Sequence, residues 1–183
     1  MNSDSVTNPI AKNSKPIKIK IVIPTNVYFL SGLRNFTFEI TQNIAGFDRQ
    51  WAYRLQTIVD ELTNNAIRYG NSNESEEIEI DFLMEQQKTI SVTVSDNGSK
   101  NSKVTPEELS KIAAEAKQRI NRPSLSLSGR GFQIVGNWSD ELIFARNEHG
   151  GISVTATKDY AKSKEELKII KSESEKNVLV LEV

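Results

Sequence analysis

The sequence predicts an α+β domain, with helices on one face of a mostly antiparallel sheet. Three observations predict it. Strand-like segments come in adjacent pairs, and two amphipathic helical segments separate the first strand from the first pair. A long polar stretch, Asp96 to Ser128, then interrupts the order before the second pair. A loop of that length in a compact domain is uncommon and is often an active-site lid.

Each element follows from local pattern. Residues 1–16 mix Asn, Ser, Lys and Pro and are expected to form a disordered arm. Lys18 to Ile23 alternates Lys with Ile or Val, a strand with one buried face that Pro24 stops. Leu30, Leu33, Phe36/Thr37, Ile40 and Ile44 recur at helical spacing, so a first helix ends near Gly46. A second helix is expected from Asp48, as N-cap, to Tyr69, with Gly70 as its stop. Glu77 to Met84 and Thr89 to Ser95 alternate around a short polar turn, which is a hairpin. Thr105-Pro106-Glu107-Glu108 opens a helix inside the polar stretch: a Thr cap, Pro at the first helical position and Glu at the third agree with one another. Gly131 to Trp138 reads as a short helix after a Gly-rich turn. Glu141 to Ala145 and Ile152 to Thr157 read as strands joined by a turn holding His149-Gly150-Gly151. Residues 161–183 form a charged extension in which Val178-Leu179-Val180-Leu181 reads as an extra strand.

Composition narrows the function classes. The 183 residues are 37% hydrophobic, enough for one domain with a real core. A formal net charge of -1 argues against a direct nucleic-acid or membrane-surface partner, both of which reward basic excess. The absence of cysteine removes disulfides, zinc-thiolate sites and thiol nucleophiles. The single histidine, His149, removes multi-His metal sites, and in its Glu-His-Gly-Gly turn it reads as a solvated loop residue. No stretch near 18 apolar residues occurs, and Met1 to Ser14 contain no signal-like apolar run, so a cytoplasmic protein is expected.

Three segments carry chemistry. On the second helix, Leu55, Ile58, Val59, Leu62 and Ala66 make an apolar stripe, while Glu61, Asn65 and Arg68 make a polar stripe beside it. Such groups point into the edge of a cleft between helix and sheet. Val92 to Gly98 reads as a strand that ends in Asp96, followed after one residue by Gly98. A strand-end carboxylate can accept from an exocyclic amine, and the glycine lets a flat ring approach the backbone. Ser128-Gly129-Arg130-Gly131-Phe132 places two glycines at the opening of an apolar helix, where backbone N–H groups and the helix dipole favour an anion. Each segment alone has an ordinary reading: a solvated helix face, an Asp-Asn-Gly turn, a tight turn.

Taken together and in this order, the segments resemble a known family. Glu61-Leu62-Thr63-Asn64-Asn65-Ala66 resembles the N box of the GHKL ATPases, Asp96-Asn97-Gly98 their first glycine box, and Gly129-Arg130-Gly131-Phe132 their second. The likeness spans Ile17 to Tyr160 and implies the two-layer Bergerat fold, with a mixed, mostly antiparallel sheet. Within the superfamily the sequence is most similar to bacterial anti-sigma factor/serine-protein kinases. Its E-x-x-x-N-A spacing, its G-x-G-F box running into Trp138-Ser139-Asp140-Glu141-Leu142, and the lack of upstream phosphoacceptor helices point there. The resemblance implies Glu61 as general base and Asn65 as a Mg2+ ligand. It implies Asp96 as the adenine acceptor, Gly98 under the base, and Gly129, Arg130, Gly131 and Phe132 around the phosphates. Arg68 would face phosphate and Tyr69 would flank the nucleoside. Arg34 resembles an arginine that such kinases use near phosphate or partner, although a plain surface arginine is an equal reading.

The cofactors so implied are ATP and Mg2+. The partners are a sigma factor and an anti-sigma-factor antagonist of the STAS type, with the chain acting as a homodimer. The alternatives are an ATP-binding anti-sigma or regulatory switch module without kinase activity, a detached histidine-kinase catalytic domain, and a scaffold that binds no nucleotide. Departures stand beside the likeness. Lys100 replaces the second glycine of the first glycine box, Tyr69 stands where histidine is common, the lid is long, and the tail after Tyr160 has no counterpart.

Overall fold

The computed structural model describes residues 15–70, 76–98, 104–118 and 127–176. The strands are β1 (Ile17–Pro24), β2 (Glu77–Glu85), β3 (Thr89–Ser95), β4 (Glu141–Arg146) and β5 (Ile152–Asp159). They form a sheet in the order β1-β2-β3-β5-β4, and each neighbouring pair is antiparallel. The alternation read from sequence sets the register. Ile80 faces Val94 and Phe82 faces Val92, so Ile78, Ile80, Phe82, Met84, Ile90, Val92 and Val94 share one buried face. The other face carries paired hydroxyls across β3 and β5: Ser91 with Thr157, Thr93 with Thr155 and Ser95 with Ser153.

The helices cover the apolar face. They are α1 (Leu30–Glu39), α2 (Arg49–Asn65), α3 (Pro106–Gln118), α4 (Leu127–Trp138) and α5 (Tyr160–Lys176). Both α1 and α2 end in a π-helical turn, Ile40–Ile44 and Ala66–Gly70 respectively. Leu33 of α1, the stripe Leu55, Ile58, Val59, Leu62 and Ala66, Val135 of α4 and Leu167 of α5 join the sheet residues in one core. Full burial of such a side chain contributes roughly 1.5–3 kcal/mol, so this stripe fixes how α2 is rotated. That rotation in turn decides where Glu61, Asn65 and Arg68 go.

The capping box before α3 forms as its sequence predicts. The Glu108 backbone N–H donates to Thr105 Oγ1 at 3.2 Å, and the Thr105 N–H donates to Glu108 Oε2 at 2.9 Å. Asp48 does occupy the N-cap of α2, but its side chain makes no cap bond. It pairs instead with Lys164 Nζ at 2.7 Å. The glycines of the second box also differ from expectation. Gly129 and Gly131 lie within α4, not in a turn before it.

The charged run after β5 forms α5, a helix that charge patterning alone did not reveal. Tertiary contacts hold it. The buried Trp51 donates its indole N–H to the Ser163 carbonyl at 3.0 Å. Lys158, only 1% exposed, sits 4.1 Å from the Trp51 ring centroid and bonds Glu166 at 2.6 Å and Asp140 at 3.3 Å. The expected N-terminal arm, apart from its last two residues, and the expected strand at 178–181 lie outside the described residues.

Candidate functional site

A cavity of about 520 Å³ opens between the end of α2, α3, α4 and the sheet. Its walls are largely apolar: Leu62 and Ala66 from α2, Val94, Ile152 and Val154 from the sheet, Val104, Leu109 and Ile112 at α3, and Phe132 from α4. Asn65, Arg68, Tyr69, Asp96 and Gly98 line the same space. The π-helical turn at the end of α2 places Arg68, Tyr69 and Gly70 on this rim. Such turns are frequent at functional sites. A volume in the small-ligand range, apolar walls and few polar groups suit a flat heteroaromatic ring.

Asp96 is the polar anchor of the cavity. Its Oδ1 accepts the backbone N–H of Gly98 at 2.9 Å and of Ile152 at 3.1 Å. Its own N–H donates to the Ile152 carbonyl at 3.1 Å. Burial pushes the carboxyl above the ordinary aspartate value, against the pull of those two N–H groups and of Arg146. Gly70 and Gly151 pack against it so closely that a Cβ at either position would collide, at Gly70 with the carboxylate itself. Gly98 has φ +80°, a conformation that favours glycine.

Glu61 and Gly131 meet one turn of α2 away. A Cβ at Gly131 would stand 2.5 Å from Glu61 Oε2 and 3.9 Å from Asn65 Nδ2. The helix-borne acid, the amide and the second glycine box therefore converge, and Asn65 connects them to the cavity. Gly129 and Arg130 occupy the first turn of α4, and their side-chain surroundings lie outside the described residues, as does Lys100. Arg34 does not line the cavity. It pairs through Nε with Asp60 Oδ1 at 2.8 Å, on the surface beside Glu61. His149 is an exposed loop residue, as its sequence context predicts.

Several residues of the site carried no sequence signal. Asn147 organises the β4–β5 turn. Its Nδ2 donates to the Asp96 carbonyl at 2.7 Å, and its Oδ1 accepts the N–H groups of Gly151 and His149. Arg146 lines the cavity from the end of β4, and Leu109 and Ile112 line it from α3. The Asn147-Glu148-His149-Gly150-Gly151 string is a turn signal, and only the fold brings it to Asp96.

Among the described residues, no cluster of three or more His, Cys, Asp or Glu could hold a metal ion. Magnesium needs no such cluster, because it keeps several waters and takes phosphate oxygens as ligands. The Asn65 amide at the cavity edge fits that donor set. Among the described residues, no helix is long and apolar enough to cross a membrane.

Comparison with known proteins agrees with this geometry. A family model described as a histidine kinase-like ATPase domain matches residues 24–158. The chain is 30% identical over 112 residues to the anti-sigma F factor of Geobacillus thermodenitrificans (strain NG80-2), a match covering 60% of this chain and 70% of the relative. It is 31% identical over 112 residues to the anti-sigma F factor of Geobacillus kaustophilus (strain HTA426), with the same coverage. Among solved structures, the SiaB–SiaC complex from Pseudomonas aeruginosa contains a chain that matches with a TM-score of 0.53 at 14% identity, covering 76% of this chain and 88% of that one. At that identity the likeness is one of fold. The chain belongs to the histidine kinase-like ATPase family, which implies that it binds ATP, and the curated relatives it matches are anti-sigma F factors.

Proposed function

We propose that the protein is an ATP-dependent anti-sigma factor and serine-protein kinase. It binds a sigma factor and phosphorylates a serine on an anti-sigma-factor antagonist of the STAS type. The observation that carries this reading is the convergence of Glu61, Asn65 and Gly131 at the edge of a cavity anchored by the half-buried Asp96. The similarity to anti-sigma F factors supports the partner class.

The residues divide by chemistry. Asp96 accepts the exocyclic amine of adenine. Gly98 lies under the base, and Tyr69 flanks the nucleoside. Arg68 and the Gly129-Arg130-Gly131-Phe132 segment attend the phosphates; Gly129, in the first turn of α4, offers a backbone N–H that has no partner within the helix, and a guanidinium favours anions. Asn65 offers an amide oxygen to Mg2+, which supplies charge neutralisation on the phosphates. Glu61 takes the proton of the substrate serine as its oxygen bonds the γ-phosphorus and ADP leaves. Phosphoryl transfer asks mainly for positioning and charge stabilisation, so this set is sufficient. The protein acts in the cytoplasm as a homodimer.

The test is incubation of the parent and Glu61→Gln proteins with labelled ATP, Mg2+ and candidate antagonists, scored for phosphoserine. The parent labels its antagonist, while Glu61→Gln binds ATP as well as the parent and transfers at least about 100-fold more slowly. Equal rates in the two proteins remove the general-base role. ATP binding without transfer to any antagonist favours the alternative, an ATP-binding regulatory module without kinase activity.

A further inference from the structure

We propose that Arg146 is a positioning residue that fastens the start of α3 to the β4–β5 turn and so holds the cavity closed around the base. The inference rests on the ATP reading of that cavity. Strand alternation puts Arg146 on the same side of β4 as Leu142 and Phe144, a side otherwise apolar. Its guanidinium spans two separate backbone carbonyls. Nη1 donates to Gly150 at 3.0 Å and Nη2 donates to Val104 at 3.2 Å.

Each partner belongs to a different wall. Gly150 lies in the turn whose Asn147 and Gly151 hold Asp96 in place. Val104 immediately precedes Thr105, the N-cap of α3, and α3 supplies Leu109 and Ile112 to the cavity. One planar side chain thus ties the turn at Asp96 to the α3 wall of the cavity. Lysine carries the charge but lacks the planar fork whose two nitrogens each serve one carbonyl here. Arg146 and Asp96 line the same cavity.

The test compares parent, Arg146→Ala and Arg146→Lys in two measurements. The first is stopped-flow release of ribose-labelled fluorescent ATP and ADP. The second is amide hydrogen exchange in α3 without nucleotide. Both variants should release both nucleotides about tenfold faster, the loss expected for two hydrogen bonds. The factor should be the same for ATP and ADP, because the contact is at the base end. Exchange over Leu109 to Ala116 should rise in both variants while their melting temperatures stay near the parent's. If Lys restores parent release and exchange, the guanidinium fork is not what fastens the wall, and the proposal falls. Unchanged exchange in Arg146→Ala also overturns it. A parent protein that binds neither nucleotide removes the ATP reading instead, and the exchange comparison then decides the Arg146 contact alone.

Discussion

At the scale of single residues, the site sets folding and binding against each other at Asp96. An aspartate whose native pKa lies above its unfolded value binds its proton more tightly in the native state. Stability therefore falls as pH rises from the ordinary carboxylate range through the raised native value, and the cost of holding the charge is fully present above it. Asn in place of Asp96 removes that slope and keeps an oxygen to accept from Gly98 and Ile152. Asp96→Asn without nucleotide should therefore melt at or above the parent temperature at pH 7, and the difference should shrink as pH falls toward 4. The same variant should bind ATP about 10- to 100-fold more weakly, since one acceptor is exchanged for a donor at the group proposed to meet the adenine amine. Thermal melts across pH and titration calorimetry check both, and a variant that loses stability at pH 7 but keeps affinity would contradict each half. Gly70 makes a complementary case. Its missing Cβ leaves room for the Asp96 carboxylate, so Gly70→Ala should displace that group. Nucleotide affinity should fall at least about tenfold, at a stability cost of about 1–3 kcal/mol from overpacking, read by the same two measurements.

At the scale of elements, what could be read in advance was local. The capping box Thr105-Pro106-Glu107-Glu108, the apolar stripe of α2 and the alternation of β2 and β3 are each written within one element, and all three form as read. What could not be read depends on distant partners. Asp96 and Ile152 are 56 positions apart, and Trp51 and Ser163 are 112 apart. No local pattern reports such contacts, so the β4–β5 turn was read as a turn but its hold on Asp96 through Asn147 was not, and the whole of α5 was missed. The charged segment of α5 is a helix because its first turns dock, through Ser163, Leu167 and the Lys158–Glu166 pair, onto Trp51 and its surroundings. Lys158 is the joint of this docking, buried while Asp140 and Glu166 stay partly exposed. Replacing it with Ala strands two carboxylates beside an emptied space, but water reaches both. The loss should therefore fall at the lower end for a broken buried pair, about 2–4 kcal/mol. Urea denaturation measures it. Proteolysis within α5 of the folded variant should also accelerate, whereas a stability loss without that acceleration would mean that Lys158 supports only the sheet.

At the scale of the whole molecule, the sheet is a floor that presents Asp96 just after β3, while α2 carries Asn65 along one side of the cavity and Glu61 one turn away. Ligand binding must then register in global stability, because the cavity exists only in the folded chain. At a hundredfold excess over its dissociation constant, a ligand adds about 2.7 kcal/mol. For a domain of this size that corresponds to a rise of roughly 5–10 °C in melting temperature. ATP and ADP should both produce such a rise. GTP should not, because guanine offers a carbonyl where adenine offers an amine, and two acceptors would face each other at a half-buried carboxylate. The discrimination has one origin, so it should vanish in Asp96→Asn, where the side-chain amide can also donate to the guanine carbonyl. Thermal melts of parent and variant with ATP, ADP and GTP therefore test one chain of cause from a half-buried carboxylate to base choice. Equal stabilisation of the parent by GTP and ATP would break that chain at its first link.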